Sequence, residues 1–320
     1  MNAIIHAVLP LFALILLGYI SGRGRLLGPA AVESLNTFVV WMALPALLFQ
    51  AMAASDLHEL RQPGYFLGFT LAMTIVFILG GLLRGKTPAS LTLRSIEAMA
   101  AAYANVGFMG IPLMLILYGE AALAPTIIAT LLTACALFAA TIVLIEFDRQ
   151  TSPHLGQSLM RVGLALLRNP LVFSPLAGLL LAVAGISLPH PVLQFTTLLG
   201  NAASPCALVT IGLFLAQSRP ATSAGPVVRV VALKLLIHPA LTAVLVYAVF
   251  DMPPLWAHTA VLLSALPVGT GPFMLAALYR EGAELSSRAI LVSTVLSLLT
   301  VSALVLILPA SPQEIALNPY

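Results

Sequence analysis

The feature that most constrains this chain is a set of ten apolar runs, each bounded by polar residues or by Pro and Gly. An α-helix needs about 20 mostly apolar residues to cross the hydrocarbon core of a bilayer. Only 8% of the residues are charged, against roughly 25% in soluble domains, which excludes a soluble protein. The sequence therefore predicts an all-α polytopic membrane protein with transmembrane helices at 3–20, 34–53, 65–83, 95–118, 122–146, 169–187, 197–216, 227–250, 255–279 and 288–308.

The few charged residues and cysteines exclude several other functions. The net charge is only +3, and the basic residues are scattered over short loops, so no nucleic-acid-binding surface is expected. Cys135 and Cys206 lie inside apolar runs, so we expect no disulfide framework, no metal site and no cofactor. Arg23 and Arg25 follow the first run and no Lys or Arg precedes it. That order is the reverse of a signal peptide and predicts a retained first span.

The distribution of basic residues predicts the orientation in the membrane. When successive loops alternate between the two sides, twelve Lys and Arg fall on one side and Arg61 alone on the other. The positive-inside rule places the richer side in the cytoplasm, so both termini are expected outside the cytoplasm, in a protein of the inner membrane. The longest connection, 147–168, is then a cytoplasmic linker between two five-helix units, 1–146 and 169–320.

The two halves resemble each other at an offset of 160 residues. Four proline pairs coincide, where about 0.75 are expected by chance, and Gly18 with Gly178 falls on the same register. An odd number of spans per half gives the halves opposite orientations, so the pattern predicts two inverted five-helix repeats. The proline pairs are Pro10 with Pro170, Pro29 with Pro189, Pro45 with Pro205, and Pro112 with Pro272.

The fourth and ninth predicted spans carry helix-breaking residues near mid-length. Proline removes a backbone donor and glycine lets the chain leave helical dihedrals, so both helices are expected to unwind. Unwound backbone inside a membrane must be buried in protein or line a wet cavity. Paired breaks in inverted repeats are typical of a transporter's substrate site, although a simple proline kink stays open for each helix. The two segments read ANVGFMGIP at 104–112 and SALPVGTGP at 264–272.

Four motifs resemble the auxin efflux carrier family: ALPALLF at 43–49, ANVGFMGIPL at 104–113, KLLIHPAL at 234–241 and ALPVGTGPFMLA at 265–276. The resemblance implies ten helices in two inverted repeats, with helices four and nine crossing at their prolines. It also implies a homodimer and an elevator-type mechanism. Bacterial members are associated with malate and malonate and plant members with auxin, so the shared substrate feature is a carboxylate. The family usually has Asn where this chain has Gly271, which leaves Asn105 as the amide that carries over.

The predicted substrate site is the crossing of the two broken helices. The Asn105 amide can donate to a carboxylate, or it can cap the second half of its helix. The N-termini of the half-helices offer a positive dipole end to an anion. The predicted site residues are Asn105, Gly107, Gly110, Pro112, Pro267, Gly269, Thr270 and Gly271.

Lys234 and His238 are four residues apart and therefore share a face of span eight. Lys234 either extends to the interface or supplies accessory positive charge. His238 is too short to reach the interface, and it is either a neutral, hydrogen-bonded group or a proton carrier. We expect the remaining polar candidates in the spans to bond mainly to their own helix backbone. They are Thr210, Ser264, Thr270 and Ser293.

The sequence thus predicts a secondary transporter of a small organic anion, a mono- or dicarboxylate such as malate, malonate or an auxin-like acid. No carboxylate is expected at mid-membrane, which disfavours a cation as the substrate. Protons and sodium are both candidate coupling ions. ATP-binding and hydrolase motifs are absent, which disfavours an ATP-driven pump and an enzyme. The alternatives are a sodium-coupled symporter of the bile-acid type and a passive channel or sensor scaffold.

Overall fold

The computed structural model describes residues 8–56, 60–84, 89–149, 164, 168–217 and 224–308. These residues are almost entirely helical, and the one β pairing among them is an isolated antiparallel bridge between Ala104 and Val268. Most of the predicted linker 147–168 and both chain termini lie outside the described residues. The architecture is therefore all-α, as predicted.

Six helices lie in the first part of the chain, up to residue 149. They are α1 (Leu9–Arg23), α2 (Pro29–Ala53), α3 (Pro63–Leu82), α4 (Leu91–Ala102), α5 (106–118) and α6 (123–149). Residues 103–105 separate α4 from α5. A 3₁₀ turn at Gly119–Ala122, which starts at positive φ, separates α5 from α6.

Six more helices follow after residue 169. They are α7 (Pro170–Val183), α8 (His190–Gln217), α9 (Gly225–Val249), α10 (Pro254–Ser264), α11 (Gly271–Tyr279) and α12 (Ala283–Ile307). Residues 265–270 separate α10 from α11. The ten predicted spans each overlap one of these helices or one of the two broken pairs, α4 with α5 and α10 with α11.

Prolines determine where many of these helices begin. A proline lies in the first turn of α1, α2, α3, α7, α8, α9, α10 and α11, where its missing N–H leaves no intrahelical bond unmade. Several helices begin earlier than their apolar runs, for example α2 at Pro29 rather than 34 and α12 at Ala283 rather than 288. The runs mark only the hydrocarbon-facing part, and the helices continue beyond it into polar residues.

The helices are long and apolar enough for a polytopic membrane protein. Six stretches of the described chain have the length and hydropathy to cross a bilayer, and α1 and α7 are shorter apolar helices. The six are Pro29–Ala53, Pro63–Leu82, Val106–Arg149, His190–Gln217, Gly225–Val249 and Ala283–Ile307.

Four helices, α1, α2, α7 and α8, pack together in two close pairs, and we call them the first helix group. In this group α1 runs along residues 203–217 of α8, and α7 runs along residues 44–53 of α2. Glycines allow both contacts. A Cβ on Gly18 would lie 2.2 Å from the Val209 carbonyl oxygen, and one on Gly178 would lie 2.2 Å from the Phe49 carbonyl oxygen. Small residues permit this close approach of membrane helices.

The remaining helices, α3 to α6 and α9 to α12, form a second helix group that contains both broken pairs. Its own apolar cluster includes Met73, Val76, Met99, Leu233 and Leu275. Each group draws helices from both halves of the sequence. The division of the molecule in space therefore differs from the division of the chain at 147–168.

Candidate functional site

The two breaks lie side by side and are hydrogen-bonded to each other. The backbone N–H of Asn105 donates to the Pro267 carbonyl at 2.9 Å, and the backbone N–H of Gly269 donates to the Tyr103 carbonyl at 3.0 Å. These bonds flank the Ala104–Val268 bridge. Backbone groups freed by unwinding are costly in a membrane unless they find partners, and here each break supplies partners to the other.

The first break leads directly into the π-helical first turn of α5. The Asn105 carbonyl accepts from the Met109 N–H at 3.2 Å and from the Gly110 N–H at 3.0 Å. The turn Val106–Gly110 precedes Pro112, which lies in the first turn of the α-helical segment Ile111–Tyr118. Pro112 therefore stands beyond the unwound residues 103–105, and Gly107 and Gly110 belong to the π turn. Unwinding was predicted correctly, but its position lies N-terminal to the glycines and the proline.

The side chain of Asn105 does not cap α5. It is only 5% exposed, and in the described part of the chain it makes no hydrogen bond to another protein group. Asn105 therefore does not take the capping role that the sequence left open. Its amide remains free for a ligand.

The second break is supported by side chains from two neighbouring helices. The Lys234 Nζ of α9 donates to the Ser264 carbonyl at the C-terminal end of α10. The Ser293 hydroxyl of α12 accepts from the Val268 N–H at 3.0 Å. Lys234 thus supplies a donor to a carbonyl that the end of a helix leaves without an intrahelical partner.

Lys234 and His238 lie inside the second helix group. Both are fully buried, so Lys234 does not extend to the interface. The Lys234 Nζ lies 3.1 Å from His238 Nδ1, while His238 Nε2 has no partner among the described residues. Neither residue lines the cavities described below. Direct contact of Lys234 or His238 with the substrate is not seen at these cavities and stays a prediction.

Three cavities lined by described residues lie between the two helix groups. A central cavity of about 90 Å³ adjoins the first break, and the side chains of Leu44 and Leu48 in α2 form its opposite wall. A vestibule of about 770 Å³ opens between the first turns of α2 and α12 and the end of α8. Phe108 and Thr270 line both cavities, so the vestibule leads to the crossing. A third cavity, of about 370 Å³, lies near the other ends of α2 and α5.

The predicted site residues divide into two sets. Asn105, Gly107 and Thr270 line the central cavity. The others form the buried backbone of the crossing without lining it, namely Gly110, Pro112, Pro267, Gly269 and Gly271. The structure therefore brings all eight together, three in the wall of the cavity and five in the buried backbone beside it.

The polar residues predicted to bond to their own helices do so in three cases. The Thr210 hydroxyl donates to the Cys206 carbonyl at 2.6 Å, and the Ser264 hydroxyl donates to the Val261 carbonyl at 2.8 Å. The Ser293 hydroxyl donates to Ile290 at 3.2 Å. Thr270 is the exception, since it lines the central cavity and the vestibule.

Sequence reasoning missed four polar residues of the central cavity, Asn36, Tyr103, Thr130 and Thr133. The Thr133 hydroxyl is buried and without a hydrogen-bond partner. Tyr103 carried a usable signal, because residues two apart in an extended segment point to the same side. A break that places Asn105 at the site therefore places Tyr103 there too. Thr133 lies on α6 and had no comparable local signal.

A cluster of charges marks the end of the molecule at which the vestibule opens. Glu97 is 1% exposed and lies between Arg84, at 3.0 Å, and Arg229, at 2.5 Å. Nearby, Glu281 accepts from Ser90 and pairs with Arg149 at 3.9 Å. The predicted alternation of loops places these arginines on one side, and the structure brings them to one end. In the described ranges no group of three His, Cys, Asp or Glu is arranged to hold a metal ion.

Comparison with known proteins identifies the family. The family model described as "Membrane transport protein" matches residues 3–305. A Rhizobium meliloti protein named "Putative malonate transporter" is 31% identical over 95% of this chain and 95% of its own length. "Auxin efflux carrier component 8" of Arabidopsis thaliana is 23% identical over 94% of this chain and 96% of its own length.

An "Uncharacterized transporter" of Methanothermobacter thermautotrophicus is 28% identical over 92% of this chain and 95% of its own length. The family and these relatives are transport proteins and not enzymes. Their similarity extends over nearly the whole chain, including both breaks and the helices that support them. The chain therefore belongs to the auxin efflux carrier family of membrane transport proteins.

Proposed function

We propose that this protein is a secondary transporter of a small carboxylate anion, which binds in the central cavity beside the crossing. The observation that carries the proposal is the free amide of Asn105 facing a cavity that also contains the unpartnered Thr133 hydroxyl. Both groups can donate to carboxylate oxygens. Among the described residues, no Asp or Glu lines this cavity, so nothing there repels an anion or attracts a cation.

Two further features of the crossing favour an anion. The N-terminus of α11 begins at Gly271, directly after the cavity-lining Thr270. A helix N-terminus presents unpaired N–H groups and the positive end of the helix dipole. At the opposite end of the break the Ser264 carbonyl of α10 already accepts from Lys234 Nζ, so this acceptor is not left to face the anion.

The relatives support the carboxylate class. The Rhizobium meliloti protein is named for malonate and the Arabidopsis thaliana protein for auxin. Malonate is a short dicarboxylate and auxin an aromatic acid, so the shared chemistry is the carboxylate. The 31% identity to the first relative, against 23% to the second, makes malonate the better first probe.

We propose that transport proceeds by an elevator-type movement of the second helix group against the first. All three cavities lie at the boundary between the groups, so sliding along this boundary would close one access route and open the other. The vestibule opens at the end of the molecule that carries Arg84, Arg149 and Arg229. If that end is cytoplasmic, the conformation described here faces inward.

We further propose ten transmembrane helices in two inverted repeats, 1–146 and 169–320, joined by the linker 147–168. Two equivalent contacts support this arrangement. Gly18 contacts Val209 and Gly178 contacts Phe49, and 160 residues separate both the two glycines and the two carbonyl residues. Each repeat therefore makes the same contact with the other, as a two-fold relation requires.

The orientation in the membrane follows from the positive-inside rule. We propose an inner-membrane protein, homodimeric as is usual for the family, with both termini outside the cytoplasm and the 147–168 linker inside it. Single cysteines at Ser152 and Gln313, in a Cys135→Ala, Cys206→Ala background, test this with a membrane-impermeant thiol reagent applied to intact cells. We expect labelling at Gln313 and protection at Ser152; the reverse pattern would contradict the orientation.

Uptake of radiolabelled malonate into proteoliposomes tests the function. An anion entering against an inside-negative potential is opposed by about 2.3 kcal/mol per charge per 100 mV, so import requires a co-transported cation. Accumulation above equilibrium when an inward proton or sodium gradient is imposed would establish a carrier and identify the ion. Equilibration without accumulation under either gradient would favour the channel alternative.

A thermal-shift series identifies the recognised group. A ligand that binds the native state raises the unfolding temperature by mass action. We expect malonate to stabilise the protein and malonamide, in which both carboxylates are amides, to have little effect. Stronger stabilisation by malonamide or by an amine analogue would overturn the carboxylate proposal.

A further inference from the structure

The ring of Tyr103 fills the space that a side chain on residue 271 would need. A Cβ built on Gly271 would lie 2.6 Å from Tyr103 Cζ and 3.0 Å from the Tyr103 hydroxyl oxygen. A Cβ on Gly269 would lie 2.9 Å from two carbons of the same ring. Distances below 3.0 Å are not compatible with a side chain, so both residues must be glycine while Tyr103 keeps this position.

Where the resemblance to the family implies an Asn, this chain has Gly271, and the phenol of Tyr103 from the first broken helix lies beside it. The ring extends along the Gly269–Gly271 backbone, and its hydroxyl end stands beside Gly271, where α11 begins. A polar group therefore occupies the position, but it comes from the opposite helix.

The Tyr103 hydroxyl is available to a ligand in the described part of the structure. Within the described ranges it makes no hydrogen bond to a protein group, although the residue lines the central cavity. Asn105 and Thr133 line the same cavity and are also unpaired. Three buried or half-buried donors without protein partners thus line one small cavity, and a ligand bound there would give each of them a partner.

We propose that Tyr103 is a specificity-determining residue for the substrate. Its hydroxyl donates a hydrogen bond to a substrate carboxylate at the N-terminus of α11, and its ring closes that side of the cavity. The ring occupies space that a bulky acid would require, so the favoured substrate is a short aliphatic mono- or dicarboxylate and aromatic acids are excluded. This inference rests on the proposed carboxylate transport.

Tyr103→Phe tests the hydrogen bond because it removes the hydroxyl and keeps the ring. In purified full-length protein we expect the Kd for malonate to rise about tenfold or more, since a hydrogen bond to a charged group is lost. The unfolding temperature without ligand should be unchanged. An unaltered Kd for malonate in Tyr103→Phe would overturn direct contact.

A swap of the two side chains tests the steric part of the inference. Gly271→Asn alone should lower the unfolding temperature sharply, because its Cβ meets the ring. Tyr103→Ala with Gly271→Asn should recover that temperature and bind malonate more tightly than Tyr103→Ala. Tyr103→Ala should also bind phenylacetate, which the natural protein should not. A stable Gly271→Asn single variant, or a natural protein that binds phenylacetate as well as malonate, would contradict the steric role.

The failure of this inference is distinguishable from the failure of the proposed function. If the natural protein binds malonate and Tyr103→Phe binds it equally well, only the role of Tyr103 is wrong. If the natural protein binds neither malonate nor any other carboxylate, the proposed function itself is overturned. The unfolding temperatures of the swap variants report the Tyr103–Gly271 contact independently of any ligand.

Discussion

The two broken helices meet at one crossing but contribute different chemistry. The first break supplies side chains, Tyr103 and Asn105, whose polar groups are unpaired in the described structure. The second supplies backbone, with Gly269 and Gly271 pressed against the Tyr103 ring. Repeats that share proline positions therefore need not share function. Here the first break provides ligand-binding side chains, whereas the second provides mainly backbone, namely the frame beside the Tyr103 ring and the N-terminus of α11.

The residues around the breaks show the same division. Ser293 accepts from the Val268 N–H of the second break. Thr133, which precedes Ser293 by the repeat offset of 160, has a buried hydroxyl without a partner and lines the central cavity. One member of the pair supports the backbone, and its equivalent is free for a ligand. At these equivalent positions the hydroxyl beside the second break, the frame, holds backbone, whereas the hydroxyl beside the first break, the binding half, is left to the cavity.

A substitution at Gly269 should disrupt the frame most severely. A valine there would place its Cβ 2.9 Å from the Tyr103 ring and 3.2 Å from the Ala104 carbonyl, and β-branching adds further bulk. We expect complete loss of malonate uptake and a large loss of folded protein on size-exclusion chromatography. Gly107→Ala, in the first turn of α5 just after the first break, is the control, because a Cβ there meets only Thr130, at 3.9 Å. Equal tolerance of both changes would contradict the division into frame and binding half.

Asn105→Ala should have the next largest effect, on binding rather than folding. Loss of one hydrogen bond to a charged ligand corresponds to about 1.5–3 kcal/mol, or roughly a 10- to 150-fold rise in the Kd for malonate. Asn169 provides a matched amide, since its side chain caps α7 by accepting from the Leu171 N–H at 2.9 Å. Asn169→Ala should lower stability by about 1 kcal/mol and leave the Kd unchanged. If the two variants exchanged these effects, Asn105 would be a structural residue.

Thr133→Val tests the freed hydroxyl of the binding half. The change keeps the side-chain shape and removes a hydroxyl that has no protein partner, so we expect equal or slightly higher stability. The Kd for malonate should rise by a few-fold to tenfold, the effect of a single hydroxyl donor. Thr141→Val on the same helix is the control, because the Thr141 hydroxyl already donates to the Leu137 carbonyl at 2.8 Å. A higher Kd for malonate in Thr141→Val alone, with the Kd of Thr133→Val unchanged, would exclude Thr133 from the site.

Much of the frame could be predicted from the sequence because its signals are local. Length and apolarity predicted the helices, and Pro and Gly near 105–112 and 264–272 predicted both breaks. The exact break at 103–105 could not be predicted. Pro112 was accommodated in the first α-helical turn after a π turn, and the hydrogen bonds to Pro267 and Gly269 determine where the chain unwinds.

The binding half was predicted less completely because its groups come from distant parts of the chain. Asn105 was found through a motif, but Thr133 reaches the cavity only through the packing of α6 beside the first break. Lys234 and His238 were correctly placed on one face of one helix, but that face turns toward the C-terminus of α10. The sequence showed which residues share a helix face and could not show what the face contacts.

Ser293→Ala should have the smallest effect of these variants. It should lower the free energy of unfolding and change the binding of malonate little. The Val268 N–H is fully buried, and removal of the hydroxyl that accepts from it leaves this donor unpaired, which costs about 1–3 kcal/mol. Ser297 is the matched control. It is equally buried on α12, but its hydroxyl donates only to the Thr294 carbonyl of its own helix, at 2.8 Å. Chemical denaturation should therefore show a clear loss for Ser293→Ala and a smaller one for Ser297→Ala, with the Kd for malonate within about twofold of the natural protein in both. A large rise in Kd for Ser293→Ala at unchanged stability would assign Ser293 to the binding half, and the asymmetry between the two breaks would fail.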